Sequence, residues 1–324
     1  MIFEKLEYKS IYGKYIVKYL EEEVAIGHNM FYVKYILRDF DCFLTKNNND
    51  KGINKQIIDK WLEKKSTECL ATRKTRATVL KQFLVFLSNY IEDVYIVNTK
   101  QYYKGDKPLP YIFTNIQIKK MFNKIMFISK EKARVNQKIF EIVVNILYCC
   151  GTRITETLLL KLKDIDFTNK CLTINNGKGK KERIVPLNDY IFDLLIDFLN
   201  RYCQNYMQDD YIFKNIKNNK PISRVTILNY FHEVCNELDI HTKDNKLPRI
   251  HDLRHTYIVH CITKLENENK NINAYLSMIS TMVGHEDIKN TMYYLRFTPE
   301  RINTINIIEN NSHIIIPRIG ADNE

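Results

Sequence analysis

DIDFTNKCLTINNGKGKKERIVPL, residues 164–187, is the stretch whose reading decides the fold. β-Branched residues alternate with polar ones around Asn176-Gly177, a dipeptide favoured in tight hairpin turns. The stretch therefore predicts a small antiparallel sheet with a hairpin. Around it, apolar residues recur every three to four positions, the period of helices. The expected fold class is mainly α with a small antiparallel β-sheet.

Towards the N-terminus, IFEIVVNILYCC (139–150) is the most apolar run. It is too short to cross a bilayer and contains Glu141 and Asn145, so it reads as a buried helix. Gly151 follows as a natural C′ residue, and Thr152 is expected to cap the next helix, with Arg153 in its first turn. KGDKPLP (104–110) holds two prolines and a glycine and reads as a linker. Before it, IYGKYIVKYLEE, MFYVKYILRDFDCFL, INKQIIDKWLEKK and TVLKQFLVFLSNYI have helical periodicity. Residues 1–103 are thus expected to form a helical domain, and 111–307 a second domain. Further helices are expected near 189–203, 224–238, 251–264, 274–283 and 288–297, with Ser223 as an N-cap. Residues 308–324 read as a tail, Asn-rich and then apolar.

The 324 residues, 45% of them hydrophobic, suffice for two cores. Lys and Arg number 49 against 38 Asp and Glu, a net charge of +11 that favours a polyanionic partner, most often nucleic acid. No signal peptide or membrane span is apparent, and a cytoplasmic location is expected. The 8 cysteines show no zinc spacing and read as free thiols of a reducing compartment. No phosphate-binding Gly-rich loop and no repeat is present.

Six polar residues stand out in the C-terminal half: Arg153, Lys178, His251, Arg254, His285 and Tyr294. Arginine forks grip non-bridging phosphate oxygens. Arg153 lies in GTRITE, where Glu156, one helical turn on, can orient it. His251 and Arg254, at i and i+3 of HDLRHT, share a helix face. His251 and His255 lack the Glu of a H-E-x-x-H zinc site, so no metal and no cofactor is expected. Lys178 sits among Lys180 and Lys181 in GKGKKER, a basic loop suited to DNA phosphates. Tyr294, in TMYYLRF, is one of 21 tyrosines and has Tyr293 as its neighbour. On a helix the two point about 100° apart, so only one can face a given phosphate. In the N-terminal half, ATRKTRATVLKQFL (71–84) offers Arg73, Lys74 and Arg76 as DNA contacts.

The order and contexts of these residues, with MVGHED around His285, resemble the tyrosine recombinase/integrase family over roughly 111–305. In that family a Gly-His pair ends one helix and the nucleophile follows nine residues later, as Tyr294 follows His285, with Thr291 three before it. The resemblance implies a two-domain clamp with a helical core-binding domain and a catalytic domain. It makes Arg153 and Arg254 the phosphate clamps, Glu156 the support of Arg153 and Tyr294 the nucleophile. It assigns Lys178, with Lys180 as runner-up, to protonate the leaving 5′ oxygen; His251 is to bind a phosphate oxygen or move a proton. It further implies a 3′-phosphotyrosine intermediate formed without metal or ATP on double-stranded DNA with inverted half-sites, bound by a homotetramer. No separate arm-site-binding domain is expected. The biological role expected is integration or excision of a mobile element, with Xer-type dimer resolution as the alternative. A type IB topoisomerase and a catalytically idle DNA-binding protein are the rival readings.

Overall fold

The structure is a computed structural model that describes residues 7–47, 52–103, 105, 109–132, 134–175, 182–215 and 218–298. The chain divides into two compact units, Met1–Pro108 and Leu109–Glu324.

The first unit is helical: α1 (Gly13–Ala25), α2 (Val33–Lys46), α3 (Lys55–Trp61) and α4 (Leu70–Leu87). Each helix turns one apolar stripe inward, so that Ile16, Leu20, Leu37, Phe40, Leu80 and Phe83 are completely buried. Asn54 caps α3 by accepting from the backbone N–H of Ile57. Asp41 of α2 accepts from the backbone N–H groups of Lys9 and Ser10, which fixes the entry to α1.

The DNA-contact assignment in α4 needs correction. Arg76 lies inside the unit, 5% exposed, rather than on its surface. It shares the inward stripe with Leu80, Phe83 and Leu87, at helical spacing. Its guanidinium is paired with Glu68 at 3.0 Å, stacks on Trp61 at 4.3 Å and donates to the Trp61 carbonyl. Its charge is spent on that buried pairing. Arg73 and Lys74 are half-buried and donate to the carbonyls of Leu62 and Thr99 respectively.

The second unit starts with α5 (Asn115–Lys132), α6 (Val135–Cys149) and the short α7 (Ile154–Leu158). Strands β1 (Ile165–Asp166), β2 (Cys171–Asn175) and β3 (Glu182–Pro186) follow, then α8 (Asp189–Tyr202) and α9 (Arg224–Glu237). The chain continues with α10 (Asp252–Asn267), α11 (Ile272–Val283) and α12 (Lys289–Met292), and Tyr293–Phe297 form a 3-10 turn. Ser223 caps α9 by accepting from the Thr226 N–H.

Helix α6 is the centre of this unit, buried from Gln137 to Leu147 apart from Lys138. Its two polar interior residues are satisfied. Glu141 accepts from Ser129 at 2.6 Å and Lys138 at 2.9 Å, and Asn145 donates to the Glu141 carbonyl. The sheet is antiparallel in the order β1-β2-β3, with Leu172 opposite Val185 and Ile174 opposite Arg183. In β3 the inward positions are Arg183 and Val185, while Ile184 is 67% exposed. An arginine therefore points into the domain from a strand whose isoleucine faces out. The hairpin turn at Asn176-Gly177 and the tail 308–324 lie outside the described residues.

Gly151 ends α6 with φ +62°, and a Cβ there would stand 2.4 Å from the Tyr257 ring. Gly151→Ala should cost about 2–4 kcal/mol, from the left-handed backbone and the displaced ring together. A fall in the urea midpoint at unchanged slope checks this.

Candidate active site

Three chain reversals build the site. At the first, Gly151 turns the chain out of α6, and Arg153 itself takes the N-cap position of α7 in extended backbone. Thr152, expected as the cap, instead bonds its hydroxyl to that of Thr157 at 2.7 Å. The Arg153 N–H and Nη1 both reach Glu156, at 3.0 and 2.6 Å. Its Nη2 donates to the Gly284 carbonyl at 2.9 Å.

At the second, His251 precedes α10 and puts His251, Arg254 and His255 on one helix face. Arg254 is 2% exposed. Its Nη1 donates to the Gly151 carbonyl at 2.7 Å, its single hydrogen-bond partner among the described residues. A guanidinium carries five N–H donors, so most remain available to an anion. Arg249 pairs with buried Asp252 at 2.8 Å just before this turn.

At the third, Gly284 ends α11 with φ +71°. A side chain there would meet the Arg183 guanidinium at 2.8 Å. The chain then folds back so that His285 Nδ1 bonds Thr291 Oγ1 at 2.8 Å. The 3-10 turn brings up Tyr294, 5% exposed, with its ring parallel to His285 at 6.2 Å. The Tyr294 hydroxyl is 2.5 Å from His255 Nδ1. Tyr293 faces elsewhere, under the Arg296 guanidinium at 3.6 Å.

The structure thus gathers Arg153, Glu156, His251, Arg254, His285 and Tyr294. Lys178, Lys180 and Lys181 lie outside the described residues. The sequence reading missed Arg183 and gave no part to His255 or Arg249. Arg183 Nη2 binds Glu156 at 2.6 Å and its Nε donates to the Met282 carbonyl at 2.9 Å. Counting by twos along β3 from Val185 would have placed it facing inward, though not on Glu156. His255 would have been found as the i+4 partner of His251 on the α10 face.

Electrostatically the cluster is cationic and dry. Burial, with Arg153 nearby, brings Arg254 down to about 9. Burial and the neighbouring cations push His251, His255 and His285 each down to about 4, so all three rings are neutral at pH 7. Burial raises the Tyr294 phenol to about 12, against the pull of Arg254. Burial would also raise Glu156, but the bonds from Arg183 and Arg153 outweigh it and hold its carboxyl below the usual range. Arginines short of a counter-charge beside a phenol and neutral imidazoles suit an oxyanion such as a phosphodiester. Among the described residues, no group of three or more His, Cys, Asp or Glu side chains could hold a metal. No described helix is long and apolar enough to cross a membrane.

The family model described as "Phage integrase family" matches residues 114–301, more than half of the chain. The chain belongs to that family, the tyrosine site-specific recombinases. The tyrosine recombinase of Pseudothermotoga lettingae is 24% identical over 278 residues, 83% of this chain and 88% of the relative. Two solved structures share the recombinase fold. The XerH site-specific recombinase bound to palindromic difH substrate aligns with a TM-score of 0.66 at 22% identity, over 85% of this chain and 78% of that one. The Tn1549 transposon integrase with a circular-intermediate DNA aligns at 0.60 and 17% identity, over 86% of this chain and 94% of that one.

The depressed histidines make stability pH-dependent. A histidine free in the unfolded chain binds its proton near pH 6.5, while the folded recombinase refuses it until about 4. The unfolded state therefore gains protons first as pH falls, which favours unfolding. Stability should be level above about pH 6.5 as far as these groups go, and should drop steeply between there and about 4. Urea midpoints measured across that window check the sign.

Proposed function

We propose that this recombinase cuts and rejoins duplex DNA through a 3′-phosphotyrosine at Tyr294. The observation carrying the reading is that one phenol, and not its neighbour, is gathered with two imidazoles beside Arg254. Arg153 and Arg254 grip the non-bridging oxygens of the scissile phosphate, with Glu156 holding Arg153 in place. His285, its Nδ1 engaged by Thr291, offers Nε2 to the phosphate, and His251 serves a second oxygen. Because both rings are neutral, they contribute N–H donors rather than charge.

In the forward step the Tyr294 oxygen bonds to phosphorus and the bond from phosphorus to the 5′ oxygen breaks. Lys178 supplies the proton to the departing oxygen, an assistance worth about 10² to 10⁴ in rate. The phosphotyrosine keeps the bond energy, so a 5′ hydroxyl from a partner strand reverses the step without ATP or metal. Strand exchange then requires two inverted half-sites and four protomers on the DNA. The biological setting we propose is integration and excision of a mobile element.

Nicked suicide duplexes from a randomised pool test the chemistry, with covalent adducts read on a denaturing gel. The unaltered chain should be captured, Tyr294→Phe should give no adduct, and Tyr293→Phe should be captured as well as the unaltered chain. Capture should be undiminished in EDTA. Adduct lost in Tyr293→Phe but kept in Tyr294→Phe would move the nucleophile by one residue. For the setting, deleting the gene should abolish the excised circular junction of a neighbouring element in cells while leaving chromosome dimers resolved.

A further inference from the structure

Attack by Tyr294 releases a phenolic proton, and with His251 and His285 serving phosphate oxygens and Lys178 the leaving group, none of those residues receives it. Among the described residues one side chain hydrogen-bonds that hydroxyl: His255, through Nδ1 at 2.5 Å. The phenol is 5% exposed, so bulk water is a poor alternative acceptor. His255 is one helical turn from His251 and adjacent to Arg254, which places it on the face of α10 that lines the site. Its ring packs edge-on against His251 at 4.7 Å and lies 5.4 Å from the Tyr294 ring. Among the described residues its Nε2 has no protein partner.

We propose that His255 is the proton acceptor for Tyr294, a catalytic role that rests on the reading of Tyr294 as nucleophile. The neutral ring carries its proton on Nε2 and receives the phenol O–H at Nδ1. As the Tyr294 oxygen bonds to phosphorus, its O–H bond breaks and Nδ1 gains the proton, leaving an imidazolium. The 5′ oxygen departs with the proton given by the acid. On rejoining, the incoming 5′ hydroxyl returns its proton to that acid, and the imidazolium returns its own to the released phenol. Protons balance in both directions without water.

The surroundings give this step a gate. Burial first, and then the charges of Arg249 and Arg254 with His285, disfavour a second proton on the His255 ring, and His251 packs against it. A phosphodiester seated on the arginines brings the negative charge that offsets them. The imidazole is therefore a stronger base with DNA bound than in the free protein, where the phenol keeps its proton.

The test compares variants at positions 255 and 294 on a suicide duplex first selected from a randomised pool by covalent capture on the unaltered chain. His255→Asn keeps an acceptor oxygen near the Nδ1 position but cannot take the proton; His255→Ala removes both. Both should slow covalent capture by about 10² to 10⁴, with affinity for the duplex unchanged. Fluorotyrosine placed at position 294, a more acidic phenol, should recover much of the rate in His255→Asn and change the unaltered chain little. A merely structural role would not respond to phenol acidity. Capture by His255→Asn at the full rate, or no recovery with fluorotyrosine, overturns the proposal. Capture by Tyr294→Phe, or none by the unaltered chain, overturns the nucleophile reading itself, and the His255 step with it.

Discussion

The site hangs on one buried carboxylate, Glu156, held between two guanidinium groups. Its oxygens meet Arg153 and Arg183 at 2.6 Å each, and the Glu156 and Arg183 side chains are 7% and 6% exposed. Removing Glu156 would leave the buried Arg183 charge uncompensated, a loss of about 3–5 kcal/mol. The geometry it secures matters more than the energy. Arg183 continues to the Met282 carbonyl and Arg153 to the Gly284 carbonyl. One carboxylate thereby ties α7, β3 and the end of α11 together. The position of His285, just past that end, follows from the same contacts.

Much of this was legible in the sequence, for reasons that differ by element. The helices of the C-terminal half showed through their apolar period, and the sheet through β-branched alternation around Asn176-Gly177. The expected helix at 189–203 appears as Asp189–Tyr202, and that at 274–283 begins two residues earlier, at Ile272. The residues gathered in the site were marked by local context, because each stands at a helix end with a recognisable turn. What escaped was long-range pairing. Arg183 meets Glu156 across 27 positions and His255 meets Tyr294 across 39, separations at which local pattern carries no signal. Arg76 was misplaced for a different reason: a run of basic residues looked like a surface, although its spacing from Leu80 put it on the inner stripe.

The cluster is poorly satisfied as it stands. Among the described residues, Arg254 is buried with a single carbonyl for company, and an Arg183 nitrogen, Nη1, is buried without a partner. Burying a guanidinium without a counter-charge is costly, so the folded state holds an unfavourable charge distribution that an oxyanion would relieve. Part of the affinity for an anion is thus set during folding, when the arginines are fixed in place and kept dry.

The turn that carries Tyr294 has three residues per revolution, so residues three apart stack above one another. Tyr293 and Arg296 share one edge, where ring and guanidinium lie 3.6 Å apart; Tyr294 lies on the next, and the Phe297 ring packs between them, 5.4 Å from Tyr293 and 6.5 Å from Tyr294. Winding, not residue type, thus separates two chemically identical phenols. Loosening the segment to an ordinary α-helix would change the step per residue from about 120° to about 100° and take Tyr293 and Arg296 out of alignment. The segment works as an index: its pitch sets the direction in which each of two adjacent phenols points.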